Sequence, residues 1–184
     1  GYDDLGRLVT KAGITLAYDE PQDKLHAVSS AGAIDYLYDA DGNMTLRDTG
    51  TANTTFSFTY DSENRLVEAA NNNVTYYFIY DGDGKRVKTR VNTIFGGMRM
   101  MGTMTTTIHI GGWYEWTDNG SWKKYYHLGT ERIAYITNSS ALTYIYADHL
   151  GSAVATSNAS GGGISRLGYY PFGEDRYGDN NLPY

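Results

Sequence analysis

An all-β fold built from stacked hairpins is predicted by three features of this 184-residue sequence. Tyr-Asp pairs recur at Tyr2-Asp3, Tyr18-Asp19, Tyr38-Asp39, Tyr60-Asp61 and Tyr80-Asp81, with a period of about twenty residues. Turn-forming residues follow most of these pairs, as in Leu5-Gly6-Arg7-Leu8, Asp41-Gly42-Asn43-Met44, Glu63-Asn64-Arg65-Leu66 and Asp83-Gly84-Lys85-Arg86-Val87. Between the turns, Phe56–Tyr60 and Val74–Tyr80 alternate with the period of two that marks strands, and no segment carries a helical period.

Each part of the repeat has a physical reason. Tyr closes one strand, Asp accepts hydrogen bonds from backbone amides two residues on, and Gly or Asn takes the left-handed position that reverses the chain. Gly42 and Gly84 hold that position in their units. The apolar residue that follows opens the returning strand. Each unit is thus one hairpin, and stacking units is expected to bring successive tyrosine rings side by side as a ladder.

Composition agrees and sets limits. Tyr supplies 18 residues against 5 Phe and 3 Trp, as suits sheet faces that are half wet. The chain has 22 Gly but only 3 Pro, so its turns rely on positive φ more than on proline. The formal net charge is −6 and no basic run exceeds Lys123-Lys124, which excludes nucleic acid as an expected partner. The absence of cysteine removes disulfides and cysteine-ligated zinc. No run reaches the roughly 18 apolar residues of a membrane span, and the N-terminus lacks the pattern of a signal peptide. The chain opens inside a repeat without Met, so it reads as a piece of a longer protein.

Three segments are expected. Residues 1–90 hold the five Tyr-Asp units, residues 91–112 form an irregular Gly, Met and Thr-rich connection, and residues 113–184 make a distinct C-terminal segment. In the last, Asp118-Asn119-Gly120 lies between Trp113-Tyr114-Glu115-Trp116 and Trp122-Lys123-Lys124-Tyr125-Tyr126, the strongest hairpin signal in the chain. The spacing of Tyr126 and Tyr146 keeps the twenty-residue period alive.

The Tyr-Asp units, together with Asp148-His149-Leu150-Gly151-Ser152 and Tyr170-Pro171-Phe172-Gly173-Glu174, resemble the Rhs and YD-repeat family, specifically its repeat-associated core. The resemblance covers nearly the whole chain. It implies a curved sheet forming part of a β-shell or a β-solenoid-like assembly, the shell being that of bacterial Rhs toxins, the C components of Tc toxins and the teneurins, with an effector domain enclosed in the toxins. The family's core usually continues into a self-cleaving stretch, which this sequence lacks before it stops at Tyr184.

No enzymatic constellation stands out. Asp39-x-Asp41-Gly42-Asn43 and Asp81-Gly82-Asp83-Gly84 resemble the start of a calcium loop, but position twelve from Asp39 is Gly50 instead of Glu. The turn explains these residues without a metal. His26, His109, His127 and His149 are dispersed, and only His149 sits in a motif, where it is expected to fix a turn by hydrogen bonding. Sequons occur at Asn43, Asn53, Asn73, Asn119, Asn138 and Asn158, which fits a hydrophilic extracellular surface. The expected protein is therefore a non-catalytic, cofactor-free encapsulating module of a bacterial protein, secreted or on the cell surface. An extracellular adhesion or filament module is the alternative. The expected partners are the rest of its own chain or neighbouring copies through β-edges, and an enclosed effector.

Overall fold

The structure is a computed structural model and describes residues 1–19, 24–95, 98–170 and 175–178. The chain forms two compact units, Gly1–Thr106 and Thr107–Tyr184, which divide inside the Gly, Met and Thr-rich connection. The first unit contains β1 (Thr10–Lys11), β2 (Ile14–Ala17), β3 (Ser30–Ala31), β4 (Ile34–Tyr38), β5 (Met44–Asp48), β6 (Phe56–Tyr60), β7 (Leu66–Ala70), β8 (Val74–Tyr80) and β9 (Arg86–Phe95). Strand β10 (Met98–Ile110) starts in the first unit and ends in the second. The second continues through β11 (Tyr114–Thr117), β12 (Trp122–Leu128), β13 (Glu131–Thr137), β14 (Leu142–Ala147), β15 (Ala153–Asn158), β16 (Ser165–Tyr169) and β17 (Asp175–Gly178). No α-helix occurs among the described residues, and the fold is all-β as expected.

Each strand pairs antiparallel with the next in sequence, giving a meander. Alternate connections therefore lie on one rim of each unit, and the intervening connections on the other. The Asp118-Asn119-Gly120 turn joins β11 to β12, with Trp116 opposite Trp122 and Gly120 at φ 86°.

The period of two in the sequence becomes an alternation of burial. In β4 and β6 the residues Ile34, Tyr36, Tyr38, Phe56, Phe58 and Tyr60 are half-buried on one face, with exposed residues between them. Buried positions are few and mostly small: Ala69, Ala70, Thr75 and Ile94 in the first unit, and Tyr125, Ala134, Ile145, Thr156, Ser157 and Leu167 in the second. Leu167 is the most enclosed large side chain, at 1% exposure. A single sheet layer cannot bury both of its faces. Consequently Leu37 and Ile79 in the first unit, and Trp116, Tyr144 and Tyr146 in the second, stay exposed.

Candidate functional site

The most regular feature of the first unit is a five-residue loop repeated along one of its rims. In the loop of Asp61, the Asp61 amide donates to the Arg65 carbonyl at 3.0 Å, and the Asn64 amide donates back to the Asp61 carbonyl at 3.0 Å. The Asp61 Oδ1 accepts the amides of Glu63 at 2.9 Å and Arg65 at 3.0 Å. Asn64, the fourth residue, is left-handed at φ 59°. The loops starting at Asp3, Asp39 and Asp81 repeat all these bonds, with Gly6, Gly42 and Gly84 in the left-handed position. In each loop one carboxylate thus satisfies amides that a tight reversal would leave unpaired.

The same loop recurs in the second unit behind a different sequence. Asp148 Oδ1 accepts the amides of Leu150 and Ser152, both at 2.9 Å, and Gly151 is left-handed. The Asp148-His149-Leu150-Gly151-Ser152 signature is therefore folded as another aspartate loop, and its hydrogen bonds come from Asp148 instead of the expected His149. Asn158 forms an equivalent loop on the opposite rim, its Oδ1 accepting from Ser160 at 3.1 Å and Gly162 at 2.9 Å. The backbone at Thr117–Ser121 follows the same path.

The residue before each loop pairs with the residue after it: Tyr2 with Leu8, Tyr38 with Met44, Tyr60 with Leu66, Tyr80 with Arg86 and Ala147 with Ala153. Tyr169 pairs likewise with Asp175, enclosing Tyr170 and Pro171-Phe172-Gly173-Glu174, and the last four lie outside the described residues. Asp19 differs from the other aspartates: its amide donates to Ser29 Oγ at 3.0 Å.

The tyrosines do not form the expected ladder. Among the described residues the ring contacts of the first unit lie along single strands, Phe56 with Phe58 and Tyr76 with Phe78. The tyrosine hydroxyls instead reach back to an earlier hairpin. Tyr80 donates to the Leu66 carbonyl at 2.7 Å, Tyr18 to Leu8 at 2.9 Å and Tyr169 to Ala153 at 3.0 Å. Each acceptor is the residue that closes the preceding loop. Tyr38 donates in the same sense to Val28 at 2.9 Å. A phenol is needed for this and phenylalanine would not serve at Tyr18, Tyr38, Tyr80 and Tyr169.

The fifth loop residue completes the link. The Arg65 guanidinium pairs with Asp61 at 2.8 Å and lies 5.2 Å from the Tyr80 ring centre, and Arg7 does the same with Asp3 at 2.7 Å and Tyr18 at 4.7 Å. Surface ion pairs alone contribute little, but here the cation also packs on the next tyrosine. Asn43 replaces the arginine in its loop and bridges two loops, its Nδ2 donating to Asp39 Oδ2 at 3.1 Å and Asn64 Oδ1 at 2.9 Å. Both oxygens of Asp39 are thus occupied by its own loop, and no group of three or more metal-ligating side chains gathers among the described residues.

These bonds shift the carboxyls. Asp61 is held below its usual value chiefly by the Arg65 amide, Asp148 by the Ser152 amide and Asp39 by the Asn43 side chain. Partial desolvation is the largest single influence on Asp3 and opposes the shift, but the bonds from Arg7 and Leu5 outweigh it. Because the folded values are depressed, the stabilisation is fully present above the unfolded value near 3.8 and is lost as pH falls through the folded values. Thermal melts followed by circular dichroism should be flat from neutrality to about pH 5 and fall steeply below about pH 4.

A second expectation concerns the acceptor itself. Since Asn158 performs the loop role with a carboxamide oxygen, Asp61→Asn should keep the loop, whereas Asp61→Ala should release the Glu63 and Arg65 amides. Hydrogen exchange at those two amides checks this: fast exchange in the alanine variant alone is the expected pattern.

The second unit also carries a polar cluster and a groove. Glu115 accepts from the Tyr125 hydroxyl at 3.0 Å and contacts His109 Nδ1 at 3.3 Å, while Arg132 lies 3.9 Å from the Tyr125 ring centre. Burial, followed by Glu115, pushes the Tyr125 phenol far above its usual range. A groove of about 1270 Å³ is lined by residues including His127, Arg132, His149, Tyr170 and Arg176. The Nδ1 of His127 is buried without a hydrogen-bond partner among the described residues, and its ring meets Trp113 edge-on at 4.4 Å. The expected period from Tyr126 to Tyr146 does not mark equivalent sites. Tyr126 lies within β12, ahead of the short Gly129-Thr130 turn, while Tyr146 stands one residue ahead of the position that precedes the Asp148 loop.

Comparison with known proteins places this geometry. The teneurin YD-shell family model matches residues 1–181. No curated protein sequence matches the chain. Among solved structures, the TcdB2-TccC3-TEV crystal structure is similar over 90% of this chain and 10% of that one, at 14% identity and a TM-score of 0.57. The Photorhabdus luminescens Tc holotoxin pore is similar over 95% of this chain and 13% of that one, at 14% identity and a TM-score of 0.51. The chain spans about a tenth of the length of these structures, and at such identity the likeness is one of fold. With the family model matching residues 1–181 of an all-β meander, the chain belongs to the teneurin YD-shell family.

Proposed function

We propose that the chain is a length of wall in a toxin-type YD shell, a non-catalytic module of a secreted or cell-surface bacterial protein that encloses an effector segment. The observation that carries this reading is the aspartate loop, whose carboxylate and following tyrosine are both spent on the chain's own backbone. Such residues serve the sheet itself, as those of a wall do. The exposed apolar side chains Leu37, Ile79, Trp116 and Tyr146 further suit a sheet that more polypeptide covers. That polypeptide is the enclosed effector on one face, and the rest of the protein's own chain at the terminal strands.

The experiment is limited proteolysis of the full-length protein. An enclosed segment should resist cleavage until the shell is denatured, and equal cleavage rates with and without denaturant would overturn the reading. Adhesion or filament formation is the competing role, in which neighbouring copies cover the terminal strands. Sedimentation of the full-length protein over a dilution series separates the two: a closed shell keeps one size, while an edge-paired filament shortens on dilution.

A further inference from the structure

The rim opposite the aspartate loops has chemistry of its own. In the first unit the connections after β5 and β7 carry the sequon residues Asn53 and Asn73, and in the second those after β11, β13 and β15 carry Asn119, Asn138 and Asn158. Only Asn43 lies on the aspartate rim. The hydrogen bonds sort these six. Transfer of a sugar to asparagine consumes one of the two Nδ2 protons and needs an accessible hydroxyl two residues on. Asn43 uses both protons, toward Asp39 and Asn64, and Asn138 is engaged at both ends of its amide, Nδ2 donating to the Gly120 carbonyl at 2.8 Å and Oδ1 accepting from the Trp122 amide at 2.6 Å. Near Asn73 the sequon hydroxyl residue Thr75 is 2% exposed, and near Asn53 the hydroxyl of Thr55 is held by Asp48 at 2.8 Å.

Asn119 and Asn158 differ from the rest. Both are exposed, and Ser121 and Ser160 beside them are exposed as well. In each the side-chain oxygen accepts the amide of the sequon serine, at 2.9 Å from Ser121 and 3.1 Å from Ser160, which leaves Nδ2 without a hydrogen bond among the described residues. Ser160 Oγ also donates to the Asn158 oxygen at 2.8 Å, a bond within the sequon itself, whereas the Thr55 hydroxyl is tied to Asp48 outside its sequon. The oxygen that holds the turn is thus retained after reaction at nitrogen. The loop can be modified without being broken.

The geometry points to N-linked glycosylation of the folded second unit at Asn119 and Asn158, on the rim away from the aspartate loops. The donor is an oligosaccharide on a lipid pyrophosphate, used by an oligosaccharyltransferase outside the cytoplasm. The Nδ2–C1 bond forms, the C1–O bond to pyrophosphate breaks, one amide proton is lost and the lipid pyrophosphate leaves, with nothing oxidised or reduced. This inference rests on the extracellular part of the proposed function and is independent of the enclosing role.

Glycopeptide mass spectrometry of the full-length protein, from medium and cell fractions of its own host, tests it. Glycan is expected at Asn119 and Asn158 with Asn43 bare, and Ser160→Ala should clear Asn158 while leaving Asn119 occupied. Secreted protein with bare Asn119 and Asn158, or with glycan at Asn43, overturns the inference and leaves the extracellular reading standing. Protein confined to the cytoplasm overturns both.

Discussion

Leu167→Ala is expected to destabilise the second unit by about 2–5 kcal/mol, the range for deleting a fully buried leucine from a site that cannot collapse. The side chain is 1% exposed, and its surroundings have little freedom to close the gap. Gly178, opposite Leu167, packs against the backbone of Arg166. Trp113, Trp116 and Trp122 all belong to the second unit, so tryptophan fluorescence reports this unit within the intact chain. A urea midpoint unchanged in Leu167→Ala would mean that the site is not a packing centre.

Tyr125→Ala should cost about 3–5 kcal/mol by the same measurement, as expected for a large buried ring. The ring is 4% exposed, lies under the Arg132 guanidinium and faces the Tyr135 ring at 6.4 Å. Tyr125→Phe keeps the packing and removes only the hydrogen bond to Glu115, for which about 1–3 kcal/mol is expected. Equal losses in the two variants would place the whole contribution in the hydroxyl. A loss confined to the alanine variant would place it in the ring.

The repeat was legible because its chemistry is local. Asp binds amides two and four residues on, and a left-handed residue sits three on, so Asp39, Asp61 and Asp81 announce their loops within a few residues. The Asp148 loop was harder to read because Ala147 stands where the other loops have tyrosine. Its signal was nonetheless present: an aspartate followed three residues later by glycine. Asn158 hid for the same reason, with a carboxamide in place of the carboxylate.

The tyrosine links were not legible. The bonds from Tyr18 to Leu8 and from Tyr80 to Leu66 span 10 and 14 residues, and nothing near either tyrosine marks a backbone carbonyl as its acceptor. A ring-on-ring ladder and a hydroxyl-to-carbonyl stitch require the same tyrosines at the same period. Only the pairing of strands, with register shifts before Tyr38, Tyr60 and Tyr80, decides which one forms.

The sequence by itself determined the all-β class, the hairpin period and the loop chemistry, because hydrogen bonds within five residues and a period of two need no distant partner. Tertiary structure alone decided which carbonyl receives each tyrosine, that Tyr125 and Leu167 are enclosed while Tyr126 and Tyr146 are exposed, and which sequon amides are spent. Those outcomes depend on the register between strands, and a shift of one residue would turn every side chain to the other face.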